Sequence, residues 1–291
     1  MHSLDPTPGA VIDCAGRVLD LRVPQVMGVL NITPDSFSDG GQLYCDNALD
    51  GDELCRRAES MLAAGAVVLD IGGESTRPGA AAVSESEELD RVLGALVTLR
   101  SRFDAIISLD TSTPVVMTEG ARLGAGLLND VRALQREGAL AAAALSGLPV
   151  CLMHMQGQPD SMQDNPRYDD VCATVCDFLK RRVAACEGAG IGRERLLLDP
   201  GFGFGKTLAH NFQLLAQLQA VCALGYPVLA GLSRKSMIAG ILERSTEERK
   251  PASVGLAIIA AMHGARLIRA HDVADTYDAL AMVRAMEQFR S

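Results

Sequence analysis

The sequence predicts an α/β protein, a closed (β/α)8 barrel preceded by a β-hairpin, and three observations predict it. Eight short runs rich in Val, Ile and Leu end on polar residues, at 26–31, 67–74, 106–110, 127–130, 149–154, 196–199, 227–233 and 266–271. Runs of this length that stay apolar on both faces suit parallel strands covered by helices on either side. Stretches with apolar positions at helical spacing separate the runs, the alternation that βα units require. Finally, 291 residues suit one barrel of roughly 250 residues better than two compact domains, so residues 1–291 are read as a single domain.

The elements follow in order. Residues 11–21 (VIDCAGRVLDL) alternate around a polar turn and predict a hairpin that plugs the N-terminal end of the barrel. Helices are expected at 52–64, 85–99, 114–123, 137–145, 168–189, 212–223, 253–263 and 274–289, each carrying an apolar stripe. The connections at 33–47, 73–84 and 155–167 are long and rich in Gly, Pro, Ser and Asp, which makes them lid candidates. In such a barrel the strand C-termini form the active face. Asn31, Asp70, Asp110, Asn129, His154, Asp199, Ser233, Lys235, Arg269 and His271 are therefore expected at one mouth.

Composition narrows the class. Hydrophobic residues make up 48% of the chain but aromatics only 4%, with no Trp, so aliphatics and the Ala-rich helix faces around 141–145 and 257–262 must fill the interior. No span of about 20 apolar residues is present, and the start carries Asp5, Pro6 and Pro8 instead of a basic, greasy leader, so a cytoplasmic location is expected. The eight cysteines (14, 45, 55, 151, 172, 176, 186 and 222) form no CxxC pair and read as reduced thiols. Cys172 and Cys176 share a helix face without a matching His or Cys pair, which does not make a metal site. A net charge of -9 argues against a nucleic-acid partner. Arg77, Lys235, Arg269 and His271 nevertheless lie just past strand ends, so the mouth suits an anionic metabolite.

The loops carry the chemistry. In MGVLNITPDSFSDGG (27–41), Asn31 ends the first barrel strand and the residues after it can continue neither strand nor helix. In DIGGESTRPG (70–79), the glycines permit close approach and Arg77 offers a planar fork for phosphate or carboxylate, though a solvated loop arginine would look the same. Asp110 and Asn129 end neighbouring strands, where a carboxylate beside an amide can read a heterocycle edge; an N-cap is the alternative for Asp110, one that Thr111 or Ser112 would fill equally well. LDPGFGFGK (198–206) imitates a phosphate loop, but three residues instead of four separate Gly201 from the Gly205-Lys206 pair. Asp199 is better read as a strand-end carboxylate, with the glycines making room for a flat ligand. GLSRKS (231–236) places Ser233 and Lys235 where barrels often hold phosphate, beside Arg269 and His271, although His271 also suits a structural role.

Together MGVLNITPDSFSDGG, GGESTRPG, LMHMQG, LLLDPGFGFGK, LSRKS and RAHD resemble the dihydropteroate synthase family, over almost the whole chain from Val11 to Glu287. The resemblance implies a TIM-barrel homodimer and transferase that joins 6-hydroxymethyl-7,8-dihydropterin pyrophosphate to p-aminobenzoate with Mg2+, giving 7,8-dihydropteroate by an SN1-like path. It implies that Asp110, Asn129, Asp199 and Lys235 hold the pterin, that Met153 and Phe204 line its pocket, and that Asn31 helps bind the metal and pyrophosphate. Arg77, Arg269 and His271 take the pyrophosphate, while Phe37, Thr76, Arg77, Pro78 and Ser233 serve p-aminobenzoate; Arg77, Lys235, Arg269 and His271 form the catalytic set. Thr113 stands where a lysine is common and Ala270 where a valine is usual. The competing readings are a pterin-dependent methyltransferase barrel, which needs no pyrophosphate cluster, and a catalytically silent pterin-binding paralogue.

Overall fold

The computed structural model describes residues 10–33, 44–45, 48–74, 83–157 and 161–289. An antiparallel hairpin of β1 (Val11–Cys14) and β2 (Arg17–Asp20) leads into β3 (Gln25–Asn31), followed by the two-residue strands β4 (Tyr44–Cys45) and β5 (Ala48–Leu49). Then come α1 (Gly51–Ala63), β6 (Ala66–Gly72), α2 (Glu85–Arg102), β7 (Ile106–Asp110), α3 (Pro114–Arg122), β8 (Leu127–Asp130), α4 (Ala139–Ser146), β9 (Val150–Met153) and α5 (Val171–Gly188). The chain continues through β10 (Leu196–Asp199), α6 (Leu208–Ala216), α7 (Leu218–Cys222), β11 (Leu229–Ala230), α8 (Ser236–Leu242), α9 (Lys250–Met262), β12 (Leu267–Ala270) and α10 (Val273–Gln288).

The helices begin where the sequence supplies caps. The Asp50 side chain accepts from the N–H groups of Asp52 and Glu53 at the start of α1, Ser84 and Glu87 form a reciprocal capping box on α2, and Asp170 caps α5. The expected helix over 212–223 is two helices, because Gln217 leaves helical geometry (φ −106°, ψ 16°), and the first starts earlier, at the Thr207 cap. The short helix α8 was not expected at all. The strand expected over 227–233 shrinks to Leu229–Ala230, with Val228 before it in a single bridge to Leu198.

Barrel strands pair in parallel in chain order, from β3 through β6, β7, β8 and β9 to β10, and from β11 through β12 back to β3. A parallel bridge between Leu198 and Val228, with the Leu198 N–H donating to the Pro227 carbonyl at 3.0 Å, closes the ring between β10 and β11. The expected barrel is therefore present.

Side-chain periodicity then builds the interior in layers. The lowest layer takes one apolar residue from each strand: Met27, Val68, Ile106, Leu127, Cys151, Leu197, Leu229 and Leu267. Ile12, Cys14, Leu19 and Leu21 of the hairpin pack into this layer, so the hairpin is the plug its alternation predicted. Two residues further along each strand the side chains face inward again. The next layer is Val29, Asp70, Ser108, Asn129, Met153, Asp199, Gly231 and Arg269, and it is largely polar. A dry layer below and a polar layer above place the site before any loop contributes.

Leu19 is buried at 1% exposure at the end of the barrel opposite this polar layer. Leu19→Ala is expected to cost about 2–5 kcal/mol of stability through the cavity it leaves. Urea unfolding measures the loss, and affinity for a ligand at the polar end should stay within twofold of the parent.

Candidate active site

A cavity of about 660 Å³ opens at the C-terminal ends of the strands, within the size range of small-molecule sites. Six of the eight residues of the polar layer line it; the other two, Asp70 and Ser108, are wholly buried beneath. The third layer adds Asn31, Asp110, Val131, Ser233 and His271, and the loops add Phe204 and Lys235. Asn31, Asp110, Asn129, Met153, Asp199, Phe204, Ser233, Lys235, Arg269 and His271 are thus brought together as expected. Phe37, Thr76, Arg77 and Pro78 lie outside the described residues.

The floor is organised by Arg269. Its Nε donates to Asp70 Oδ2 at 2.6 Å and its Nη2 to Asp110 Oδ2 at 2.8 Å, while Asn129 Nδ2 donates to the same Asp70 oxygen at 3.2 Å. Burial opposes the charge on Arg269, but the two carboxylates outweigh it and hold its pKa above the ordinary range. Asp110 is pushed up to about 7, first by burial and further by Asp70, with Arg269 acting against the rise. Burial also raises Asp199, against the Gly201 N–H that donates to its Oδ1 at 2.7 Å. Asp110 is not a helix cap: α3 starts after Thr113, whose N–H is taken by the Thr111 hydroxyl at 3.1 Å. Thr113, the first departure from the family pattern, is wholly buried; its hydroxyl donates to Glu88 and accepts from Arg136 Nη1.

One wall is the loop 200–207. Gly201, Gly203 and Gly205 adopt positive φ (+69°, +82° and +60°), which lets the backbone fold flat. A Cβ at Gly201 would run into the His154 carbonyl oxygen, and one at Gly205 into that of Gln156. The loop's carbonyls are met by side chains. Lys206 Nζ donates to Gly201 O at 2.8 Å and Phe204 O at 3.0 Å, Gln163 Nε2 to Gly203 O at 2.6 Å and the Tyr168 hydroxyl to Gly205 O at 2.7 Å. The wall presents the Phe204 ring, with Lys235 Nζ 4.2 Å from its centroid.

His154 is a correction. Expected at the mouth, it is buried behind this wall, its ring edge-on to Phe178 and its Nδ1 3.0 Å from Lys206 Nζ. Burial first and Lys206 second push its pKa down to about 3, so Nδ1 accepts and the imidazole is neutral. Burial lowers Lys206 itself to about 7, with Asp199 opposing. Lys206 was not among the site residues expected from the sequence, because the partners that hold it are backbone carbonyls of its own loop.

The rim carries further cations. Ser233 Oγ lies 2.9 Å from His271 Nδ1 and accepts the His271 backbone N–H at 3.2 Å, and the two contacts together fix the ring. Arg234, paired with Asp272 at 2.7 Å, and Arg249 also line the cavity, and neither was read from the sequence. Arg132 holds Glu74 through two bonds of 3.0 and 3.1 Å.

Comparison with known proteins agrees with this geometry. The pterin binding enzyme family matches residues 27–271. Dihydropteroate synthase of Escherichia coli (strain K12) is 53% identical over 270 residues, covering 93% of this chain and 94% of the relative. The chain belongs to the dihydropteroate synthase family of pterin-binding enzymes. Among solved structures of the family, the Yersinia pestis dihydropteroate synthase with a sulfonamide drug complex superposes with a TM-score of 0.91 at 53% identity, covering 96% of this chain and 99% of that one. The Xanthomonas albilineans synthase in complex with 7,8-dihydropteroate gives 0.85 at 46%, covering 95% and 98%.

Because Asp110 titrates near 7 in the folded protein and near 4 when unfolded, the native state holds the extra proton between those values, and stability falls as pH rises through that window. Asp110→Asn is expected to flatten that fall. Melting temperatures of parent and variant from pH 4 to 7 test it; parallel curves would refute the assignment. Gly201→Ala is expected to lose at least about 1–2 kcal/mol from left-handed backbone alone, read as a shift of the urea midpoint.

Proposed function

We propose that the protein condenses 6-hydroxymethyl-7,8-dihydropterin pyrophosphate with p-aminobenzoate, giving 7,8-dihydropteroate and pyrophosphate. The observation that carries this reading is a single cavity with two unlike ends: half-buried Asp110 and buried Asn129 and Asp199 around Arg269 at the floor, and Lys235 and His271 toward the rim. The family relative with bound 7,8-dihydropteroate supports the same product.

The pterin's amino-pyrimidinone edge offers adjacent N–H donors to Asp199 and Asn129, and its flat ring suits the space between Met153 and Phe204. Lys235, held over the Phe204 ring, closes the pterin end. Reaction breaks the bond between the pterin methylene carbon and the pyrophosphate oxygen, and the electron pair leaves with pyrophosphate. Ring electrons stabilise the resulting methylene cation, which makes the path SN1-like. The lone pair of the p-aminobenzoate nitrogen then forms the C–N bond, and its proton is lost to solvent. No tuned base is needed, because the arylammonium formed on attack is strongly acidic. Charge develops on the leaving group, where preset cations are most effective. Arg269 has Nη1 outside its two carboxylate contacts, and Ser233 sets the His271 ring. Arg77 joins them by its place in the family motif, as Phe37, Thr76, Pro78 and Ser233 join the p-aminobenzoate side.

Magnesium fits this site as a cation that arrives with pyrophosphate. Among the described residues no group of three or more His, Cys, Asp or Glu side chains is placed to hold a metal, while Asn31 offers one amide oxygen at the cavity wall. Magnesium keeps several waters and takes phosphate oxygens, so one such oxygen suffices. When bound, it would neutralise leaving-group charge.

The whole chain 1–291 is proposed to act as one domain, as a homodimer, in the cytoplasm. No described helix is long and apolar enough to cross a membrane. Exposed Ile259 and Met262 on α9 and Met282 and Met286 on α10 offer an apolar face for a second copy.

Purified protein with the dihydropterin pyrophosphate, p-aminobenzoate and magnesium should release pyrophosphate and form dihydropteroate; absence of both products would overturn the reading. Asp199→Ala leaves ligand donors unpaired and is expected to weaken binding of phosphate-free pterin by about 1–3 kcal/mol. His271→Ala should instead lower turnover at least tenfold with pterin affinity nearly unchanged, because its contact strengthens as charge grows. Calorimetry and steady-state rates separate the two.

A further inference from the structure

Asp70 is the one carboxylate of the polar layer that does not line the cavity, yet it touches two residues that do. It is fully buried, and a single oxygen, Oδ2, accepts from both Arg269 Nε at 2.6 Å and Asn129 Nδ2 at 3.2 Å. A carboxylate held by an arginine can only accept, so the amide facing it must turn its nitrogen inward. The Asn129 oxygen is then left to the cavity.

We propose that Asp70 is a positioning residue for ligand recognition, fixing the Asn129 amide so that the site presents an acceptor, and not a donor, at that point of the floor. The inference deepens the pterin reading above and rests on it. Asn129 and Asp199 then both offer acceptors, and a ligand edge with two adjacent N–H groups is the complement. A ring carrying an acceptor at either place would meet an oxygen. Without Asp70 the amide of Asn129 can turn over, and that selectivity is lost although every cavity-lining residue remains.

The other groups around this contact do not substitute for Asp70. Asp110 holds Arg269 through Nη2, at 2.8 Å, on the other arm of the guanidinium. Asn129 has no other side-chain hydrogen bond among the described residues. Its orientation therefore depends on a residue 59 positions earlier on a strand two places away in the barrel.

The test measures affinity for phosphate-free 6-hydroxymethylpterin by calorimetry, which leaves the pyrophosphate contacts out. Asp70→Ala is expected to bind at least tenfold more weakly. Asp70→Asn should bind within threefold of the parent, because Arg269 Nε holds the new carbonyl where Oδ2 stood and Asn129 still donates to it. In an Asn129→Ala background, Asp70→Ala should add less than threefold. Tight binding by folded Asp70→Ala, an undiminished penalty in the Asn129→Ala background, or a tenfold loss in Asp70→Asn would each overturn the proposal. Should Asp70→Ala not fold, Asp70→Asn decides on the same threefold and tenfold limits. If the parent itself binds no pterin, the functional reading fails first; if the parent binds and the penalties add, only this inference fails.

Discussion

A guanidinium at the centre of a barrel is the constraint on which the rest of this site depends. Arg269 stands where the dielectric is low, and an unpaired charge there would cost several kcal/mol. Asp70 and Asp110 neutralise it from two sides, at 2.6 and 2.8 Å. Once both are committed, their remaining neighbours are committed too. Asn129 must turn its nitrogen to Asp70, and Asp110, raised by burial and by Asp70 against the pull of Arg269, holds its proton up to about 7. One cation thus fixes the donor and acceptor pattern of the floor, and removing either partner would leave charge uncompensated at a cost of about 3–5 kcal/mol.

Such a polar layer is tolerated because of what lies under it. The hairpin side chains Ile12, Cys14, Leu19 and Leu21 complete an apolar stopper with one residue from every barrel strand. Water is kept from the lower barrel, and the charges above it are solvated from one side only. A strand period of two then converts the apolar register below into the polar register above without any change in backbone. Fold stability and site geometry are set by the same eight positions, shifted by two residues.

This is why so much of the site was legible in the sequence. Polar residues at the ends of apolar runs are rare in buried parallel strands, and Asn129, Asp199 and Arg269 each stood out against Leu-rich neighbours. The hairpin was legible for the same reason, from alternation around Ala15 and Gly16. What failed was anything decided by side-chain direction at a strand's end. His154 ends a run as Asp199 does, but it lies beyond β9 and turns to Phe178, behind the wall. Asp70 looked like another mouth residue, and only the three-dimensional contacts show it to be a support. Lys206 was hidden because its partners are backbone carbonyls, which no residue pattern records. The break at Gln217 between α6 and α7 had no glycine or proline to announce it.

The loop 200–207 and the floor share a design that bears on catalysis. Gly201, Phe204 and Gly205 carbonyls are each held by a buried or half-buried donor, so the wall beside the ligand has few alternative shapes. The floor is equally fixed. Groups that are already in place when the flat ring enters bind it in the ground state and the transition state alike, and so supply affinity and orientation but little acceleration. Acceleration must come from contacts that strengthen as the leaving group gains charge, and in the proposed reaction that task falls to Arg269 and His271, with Arg77 of the sequence motif. Arg269 belongs to both sets. Its Nε and Nη2 arms are spent on Asp70 and Asp110, which hold the floor in register, and the third nitrogen is the part of that charge left to act on the departing anion.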